Sequence, residues 1–340
     1  MKIAENNINM GLTTKQILTL MQLERCGRKT ALKVASFANG MDSLSAAEMA
    51  DFLRNLRESG RVKRLGDYSV SDIKNAECMA EDILAKSEQA GIGIVGYYDA
   101  QYPKALRNLV TEKGTTDPPA FLYYKGELSV TELPSIAIIG TRNATAEGIC
   151  AGEIFGQKFA ENGFNVVSGL ALGCDSAGHC GALNGNGATT AILAHGLDSV
   201  YPVENTDLAR SILDSGGLLL SEYPTGEHVL PNRLVERDRL QAGLAQATLV
   251  IQTGEYGGTM HAANATLAAG KPLFVVKYKS DLLMFSEGVR GNVCLADRGA
   301  AYLTTENADS VIEGLLSGIF REEVSGKSAA QECVQMTMAF

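Results

Sequence analysis

Three glycine-containing turns, each preceded by an apolar run, have the composition of an anion-binding site. Glycine lets the backbone approach a ligand closely, and a helix that starts at such a turn directs free N–H groups and favourable potential at an anion. A phosphate or a chain of phosphates is the expected ligand, although glycines in tight strand-to-helix turns also serve packing alone. The candidate residues are Gly140, Thr141 and Arg142; Ser168, Gly169 and Gly173; and Gly257, Gly258 and Thr259.

Three arginines carry the positive charge that such a site needs. Arg142 sits in the first turn, where a bidentate contact with phosphate is geometrically easy and a core role does not suit the side chain. A surface salt bridge is the alternative for this residue. Arg237 and Arg239 come at the start of a predicted helix. Because they are two positions apart, they point to different sides, which allows one to face the cleft and the other to face solvent.

The other reactive side chains form no pattern typical of catalysis or metal binding. The four histidines lack metal-ligand spacing, and no Ser or Cys lies in a recognisable nucleophile elbow. Seven irregularly spaced cysteines without a C-x-x-C pair indicate buried thiols. Asp175 is expected to cap the helix that follows Gly173, and the dinucleotide signature G-x-G-x-x-G is missing. The sequence therefore predicts no catalytic residue, no metal and no cofactor.

A regular alternation of strand-like and helix-like stretches from Ser135 onward positions these turns. Near-continuous apolar strands separated by short helices predict an α/β fold with a mostly parallel sheet and helices on both faces. Ligands of such sheets bind at the carboxyl ends of the strands, where the strand order reverses. We expect strands at 136–140, 165–168, 189–194, 217–221, 248–252 and 272–276, and helices near 147–161, 175–184, 206–214, 235–246 and 259–269.

The first 90 residues show a different pattern, with helical stretches separated by short breaks. Ser45, followed by Glu48, predicts a helix N-cap with a capping box. Residues 27–30 (Gly-Arg-Lys-Thr) suit either the loop of a helix-hairpin-helix, which contacts a nucleic-acid backbone, or a solvated basic turn. We predict a small all-helical domain of the SAM or helix-hairpin-helix kind over 1–88, an α/β domain over 89–320 and a short tail over 321–340.

Composition indicates a folded protein without membrane spans. The 340 residues are 45% hydrophobic, and no apolar stretch approaches the roughly 18 residues that a membrane helix needs. Without a signal-peptide pattern, we expect a cytoplasmic protein. The net charge is −9, of which residues 1–90 carry +1 and the remainder −10. Because the basic body of many nucleic-acid binders is absent, any phosphate site must be a local patch or be built from backbone N–H groups.

Several ordered motifs resemble the DNA-processing protein A (DprA/Smf) family. The resemblance covers about residues 90–317, through the segments 98–106, 136–148, 166–183, 195–205, 220–226, 237–244, 257–259, 291–292 and 299–303. It implies an extended Rossmann-like domain behind a small helical domain, a homodimer, and binding of single-stranded DNA without catalysis. It further implies protection of incoming DNA in natural transformation and loading of the RecA recombinase. Arg142, Arg237 and Arg239 would line the DNA pocket.

The sequence departs from the family pattern at four positions. Thr141 replaces a serine, which keeps the hydroxyl. Leu172 stands where a basic residue is common, Asp238 where asparagine is usual, and Leu234 where a phenylalanine often stacks on a base. Loss of one stacking face alone is worth about 1–3 kcal/mol per base. We therefore expect these changes and the acidic balance to weaken or specialise DNA binding.

Two other functions stay open at this stage. One is a sensor of a nucleotide or nucleotide-derived ligand that signals to a partner, for instance in phage defence. The other is a nucleoside-monophosphate phosphoribohydrolase of the same superfamily, in which a glutamate follows the Gly-Gly-x-Gly-Thr turn. Here Gly257-Gly258-Thr259 is followed by Met260 and His261, so that acid is absent.

Overall fold

A computed structural model describes residues 12–38, 41 and 43–320 of the chain. The predicted tail over 321–340 lies outside the described residues. Four helices come first: α1 (Thr14–Gln22), α2 (Arg28–Ala35), α3 (Ala46–Glu58) and α4 (Val70–Gln89). Ser45 and Glu48 form the predicted capping box at the start of α3. Among the described helices, none is long and apolar enough to cross a membrane.

A nine-stranded sheet follows and forms the centre of the molecule. Its strands are β1 (Gly93–Gly96), β2 (Phe121–Gly126), β3 (Ser135–Ile139), β4 (Asn165–Ser168), β5 (Thr189–Leu193), β6 (Leu218–Ser221), β7 (Ala247–Val250), β8 (Leu273–Val276) and β9 (Ala301–Leu303). The spatial order is β1-β2-β6-β5-β4-β3-β7-β8-β9. Among the strands of the described residues, only β2 runs antiparallel to its neighbours, β1 and β6. The mostly parallel α/β sheet predicted from the sequence is confirmed.

Helices cover both faces of the sheet. They are α5 (Lys104–Arg107), α6 (Ala146–Glu161), α7 (Cys174–Asn184), α8 (Thr206–Asp214), α9 (Pro231–Leu244), α10 (Gly258–Ala268), α11 (Asp281–Met284), α12 (Arg290–Asp297) and α13 (Ala308–Ser317). Alternate residues of β3 supply the two faces: Ile136 and Ile138 pack in the core cluster with α6 and α13, while Ala137 and Ile139 pack in the cluster with α10. A strand buried on both faces is apolar throughout, which explains the uninterrupted run in the sequence.

The N-terminal helices share a core with the sheet. Leu18, Leu53 and Ile73 of these helices belong to one buried cluster with Leu193 of β5 and Leu219 of β6. The helix α4 ends at Gln89, close to the proposed boundary at residue 88. Because the apolar contacts continue across that boundary, the division of the chain into separate domains stays a prediction.

The order of the strands determines where a crevice forms at the edge of the sheet. The central strand β3 pairs with β4 on one side and with β7 on the other. The chain runs from β3 outward through β4, β5 and β6, and then returns to β7 on the opposite side of β3. The turns that follow β3 and β7 therefore diverge from each other and leave a crevice at the carboxyl ends of the strands.

Candidate functional site

A cavity of about 420 Å³ occupies this crevice, and we call it the cleft. Its walls are the turn after β3, the turn after β7 and the first half of α9. Seven of the predicted site residues line it: Gly140, Thr141, Arg142, Arg237, Gly257, Gly258 and Thr259. The structure therefore brings together the first and third of the three predicted turns, and one of the two predicted site arginines of α9.

The turn after β3 is held so that Arg142 projects from it. Thr141 donates its backbone N–H to the carbonyl of Gln252 at 2.8 Å. A Cβ atom at Gly140 would lie 2.5 Å from the Cys174 sulfur, so only glycine lets the turn pack this closely. Arg142 is exposed, and its guanidinium forms no ion pair or hydrogen bond with the described part of the chain. Its charge is therefore available to an anionic ligand.

The turn after β4 contributes Ala171 to the lining of the cleft, whereas its predicted site residues, Ser168, Gly169 and Gly173, do not line it. Ser168 is fully buried and donates its hydroxyl to the Ile138 carbonyl at 2.6 Å. The backbone N–H groups of Gly169 and Ala171 donate to Asp175 Oδ2 at 3.1 and 3.4 Å. The prediction that Asp175 caps α7 is wrong, because the residue in the N-cap position is Gly173. The Asp175 carboxylate instead fixes the turn, and burial raises its pKa.

Gly173 allows α7 to begin directly against the first turn. Its φ of +79° lies in the left-handed region, and a Cβ there would stand 2.4 Å from the Thr141 carbonyl oxygen. Gly173 therefore contributes to the cleft by positioning the turn that bears Arg142.

Arg237 forms the floor of the cleft and is only 5% exposed. Its Nη1 donates to the Ile192 carbonyl at 2.9 Å, and its Nε lies 3.2 Å from Asp238 Oδ1. A Cβ on Gly169 would approach Arg237 Nη1 to 1.4 Å. A glycine at 169 is therefore required for the guanidinium to pass beneath the second turn.

Arg239 lies outside the cleft. It belongs to a buried ion cluster that we define by four residues: Arg28, Asp117, Glu222 and Arg239. Arg239 Nη2 lies 2.7 Å from Glu222 Oε2. Arg28 contacts Asp117 at 2.6 Å and Glu222 at 2.7 Å. The charges of both arginines are thus neutralised inside the protein.

The ion cluster overturns two expectations from the sequence. Neither Arg237 nor Arg239 faces solvent, because the part of α9 from Arg237 to Leu244 is buried. Arg28, which we considered as part of a nucleic-acid-binding loop or a solvated turn, binds the cluster instead. Lys29 is the exposed basic residue of that turn, with its Nζ 3.6 Å from Asp117 Oδ1.

Among the described residues, Asp238 and Asp175 are the two carboxylic acids that line the cleft. Asp238 is 9% exposed, and burial raises its pKa to about 7, an effect to which Asp175 adds and which Arg237 opposes. His261 and Arg142 also interact with this carboxyl group and favour its charged form. At neutral pH, the acid in the cleft therefore exists in both protonation states.

The turn after β7 presents a helix N-terminus to the cleft. Thr253 donates its backbone N–H to Asn292 Oδ1 at 3.0 Å, which anchors the turn on α12. Gly257, with a φ of +130°, is the N-cap residue of α10. The free N–H groups of the first turn of α10 supply favourable potential for an anion. Tyr256, which the sequence analysis did not single out, lines the cleft and is 90% exposed.

Three of the four histidines, His179, His195 and His261, have side-chain partners in the structure. His179 is buried against Thr189, and burial lowers its pKa to about 3. His261 Nδ1 lies 2.9 Å from Glu112 Oε2. Within the described residues, no group of three or more His, Cys, Asp or Glu side chains is placed to hold a metal ion.

A larger cavity, of about 900 Å³, lies at the opposite edge of the sheet. Ser135 and Pro272 line it, which places it at the amino ends of β3 and β8. The nearby Lys271 donates to carbonyls at the end of α9, including that of Ala245 at 2.7 Å. This edge carries none of the three predicted glycine turns.

The fold and the cleft together define a Rossmann-like α/β protein with glycine-containing turns at the reversal of strand order. Residues 93–315 match the family described as DNA recombination-mediator protein A. The chain belongs to this family, as the motifs in its sequence predicted.

Individual relatives agree with the family assignment. Protein Smf from Synechocystis is 33% identical over 213 residues, which cover 62% of this chain and 51% of that protein. The chain thus spans about half the length of that curated relative. The structure of DNA processing protein A from Streptococcus pneumoniae has a TM-score of 0.68 at 27% identity, covering 88% of this chain and 97% of that one. The Helicobacter pylori protein, described for its single-stranded DNA binding mode, has a TM-score of 0.57 at 28% identity, covering 67% and 96%.

Proposed function

We propose that this protein binds single-stranded DNA through the cleft, with Arg142 as the principal phosphate contact. The observation that carries the proposal is that exposed Arg142, which has no ion pair with the described residues, lines the same cleft as the N-terminus of α10. Both elements favour a phosphate, one by bidentate hydrogen bonding and the other by free backbone N–H groups. The description of the H. pylori relative in terms of single-stranded DNA binding supports the same ligand.

The role of Arg237 differs from that of Arg142 in this proposal. Arg237 is buried and holds Ile192 and Asp238, so it fixes the floor of the cleft and adds long-range positive potential. Arg239 does not contact DNA in this proposal, because its charge is neutralised by Glu222 in the ion cluster. Its role is to hold α9 in place. Gly140, Thr141, Gly257, Gly258 and Thr259 supply the backbone around the phosphate, and Ser168, Gly169 and Gly173 support it.

A binding assay with fluorescently labelled oligothymidylate tests this proposal. Affinity should fall steeply between about 50 and about 200 mM salt, because binding of phosphate releases counterions. Arg142→Ala should weaken binding and reduce the salt dependence. Arg210→Ala is the matched control, since it removes an exposed arginine of α8 that pairs with Asp207 and does not line the cleft. Absence of binding by the wild-type protein at low salt would refute the proposal.

We propose a biological role on the basis of the family membership. In this proposal the protein processes single-stranded DNA in natural transformation, protects the strand and loads the RecA recombinase, as a cytoplasmic homodimer. The family description as a recombination mediator supports this role. RecA assembly on DNA, followed by its ATP hydrolysis with and without this protein, tests the loading step. Light scattering after size-exclusion chromatography tests the dimer.

A nucleotide sensor is the second candidate. The cleft volume of about 420 Å³ lies within the range of about 300–1,000 Å³ typical of small-molecule sites. Competition of free nucleotides with labelled DNA, together with nucleotide-dependent thermal shifts, distinguishes a sensor from a strand-binding protein. We propose no catalytic activity, because Met260 and His261 follow the Gly257-Gly258-Thr259 turn where a phosphoribohydrolase has its acid. Release of free base from a nucleoside monophosphate would contradict this.

A further inference from the structure

Arg142 is a lining residue of two cavities. One is the cleft, and the other, which we call the second cavity, has a volume of about 400 Å³. A polymer whose phosphate binds Arg142 therefore has space on either side of that phosphate for the groups attached next to it.

The cleft side carries a free aromatic ring. Tyr256 is 90% exposed and makes no aromatic or cation–π contact with the described residues. Gly254 and Gly257 flank it in the turn after β7, so the ring is mounted on a short glycine-rich segment. An exposed ring beside a phosphate site is the arrangement on which bases of single-stranded nucleic acids stack, whatever their sequence.

The second cavity has an apolar wall. Leu172, Tyr201 and Val203 line it, and they are 41%, 43% and 73% exposed. Glu204 is the acidic residue among those that line this cavity. Three exposed apolar side chains next to one free arginine match a planar, largely apolar base that is linked to a phosphate. Continuity with the cleft through Arg142 indicates that the same strand enters both cavities.

We propose that neighbouring bases of one strand occupy two subsites on either side of Arg142, one on Tyr256 and the other on the wall of Leu172, Tyr201 and Val203. This inference rests on the proposed DNA binding and identifies the side chains that contact the bases. It also supplies a stacking surface in place of the phenylalanine that Leu234 replaces, because Tyr256, in the turn after β7, lines the same cleft as Leu234. Stacking of this kind is tolerant of base identity.

The absence of tryptophan from the chain makes the test direct. Tyr256→Trp and Tyr201→Trp each introduce a single indole, whose fluorescence falls when a base stacks on it. Oligothymidylate should quench both indoles. An abasic oligomer with the same number of phosphates should bind through Arg142 and leave both signals unchanged. Tyr302→Trp, which lines neither cavity, is the control and should respond to neither oligomer.

Affinities provide the second readout. Tyr256→Ala should weaken oligothymidylate binding by about 5- to 150-fold, the range expected for one lost stacking contact, and should not change binding of the abasic oligomer. Tyr256→Phe should retain wild-type affinity because the ring remains. The side chains of Tyr256 and Tyr201 are both exposed, so variants at either position should fold.

The outcomes separate the two proposals. If the wild-type protein binds the abasic oligomer as tightly as oligothymidylate and neither indole responds, the base subsites are refuted while the phosphate site stands. If the protein binds neither oligomer, the proposed function itself fails. An indole at position 201 that responds to RecA and not to DNA would identify the second cavity as a protein contact and overturn the inference.

Discussion

Replacement of Asp238 by asparagine should strengthen DNA binding in a pH-dependent way. The carboxyl group lies on the cleft wall, and burial raises its pKa to about 7. Its ionised form repels a phosphate at Arg142, whereas its neutral form does not. Asparagine keeps the shape of the side chain and removes the charge, so the variant should bind as the protonated protein does at every pH.

The size of the effect follows from the pKa. If phosphate enters only when Asp238 is neutral, the wild-type protein must take up one proton on binding. At pH 8, one unit above the pKa of Asp238, protonating this carboxyl group costs about 1.4 kcal/mol of binding free energy. Asp238→Asn avoids this cost and should therefore bind DNA about tenfold more tightly than wild type at pH 8. The difference should be about twofold at pH 7 and should vanish near pH 6.

Fluorescence anisotropy with labelled oligothymidylate at constant salt between pH 6 and 8 measures this difference. Asp51→Asn removes a carboxylate that pairs with Arg54 on the exposed face of α3, and it should leave the pH profile unchanged. His261→Gln removes another titratable group that interacts with Asp238, and most of the pH dependence should persist. The reasoning is refuted if Asp238→Asn retains the wild-type pH profile or binds more weakly than wild type at pH 8.

The same carboxyl group should make folding stability depend on pH. The folded-state pKa of about 7 lies above the ordinary value of 3.8, so the native state holds this proton more tightly than the unfolded chain does. Its contribution to the free energy of unfolding is complete below pH 4 and is lost as pH rises toward 7. Urea unfolding at several pH values should show this decline in the wild-type protein and a smaller decline in Asp238→Asn. Equal declines would contradict the assignment.

Two further substitutions test the scaffold of the cleft. Gly169→Ala should lower the free energy of unfolding by about 1–3 kcal/mol and weaken DNA binding, because the new Cβ would overlap the guanidinium of Arg237. Gly288→Ala is the control, since there is open space around that glycine. Equal stability of the two variants in urea would contradict the packing argument. Glu222→Gln should cost about 3–5 kcal/mol, since it leaves the two arginines of the ion cluster with one carboxylate. The exposed Asp51→Asn should cost about 1 kcal/mol or less, and similar losses for both would show that the cluster is not effectively buried.

The sequence predicted the sheet and the first turn well because both depend on local pattern. The apolar run of β3 is buried on both faces, and the glycine turn after it directs Arg142 outward. The start of α9 was predicted four residues late, at 235 instead of Pro231, because a proline in the first turn of a helix resembles the end of a loop in sequence. Periodicity locates such elements to within a turn.

Other parts of the site depend on contacts between distant segments. The partners of Arg239 are Glu222 and Asp117, which are distant in sequence, so its residue type alone did not distinguish a DNA contact from an internal ion pair. Tyr256 was missed because exposure of an aromatic ring in a loop has no periodic signature. The glycines around it were the one available signal, since they mark a turn that closely approaches a ligand.

The position of α9 also bears on how the N-terminal helices contribute. Arg237 and Asp238 face the cleft, while the next residue, Arg239, meets Arg28 of α2 through their shared partner Glu222. One rigid helix therefore has its rotation fixed from outside the cleft. A fragment that begins after residue 90 would lose Arg28 and expose the apolar surface of β5 and β6, and α9 would lose part of its anchorage. The N-terminal helices thus help to shape the proposed DNA site without lining it, and shortened proteins are poor substitutes for the whole chain in binding studies.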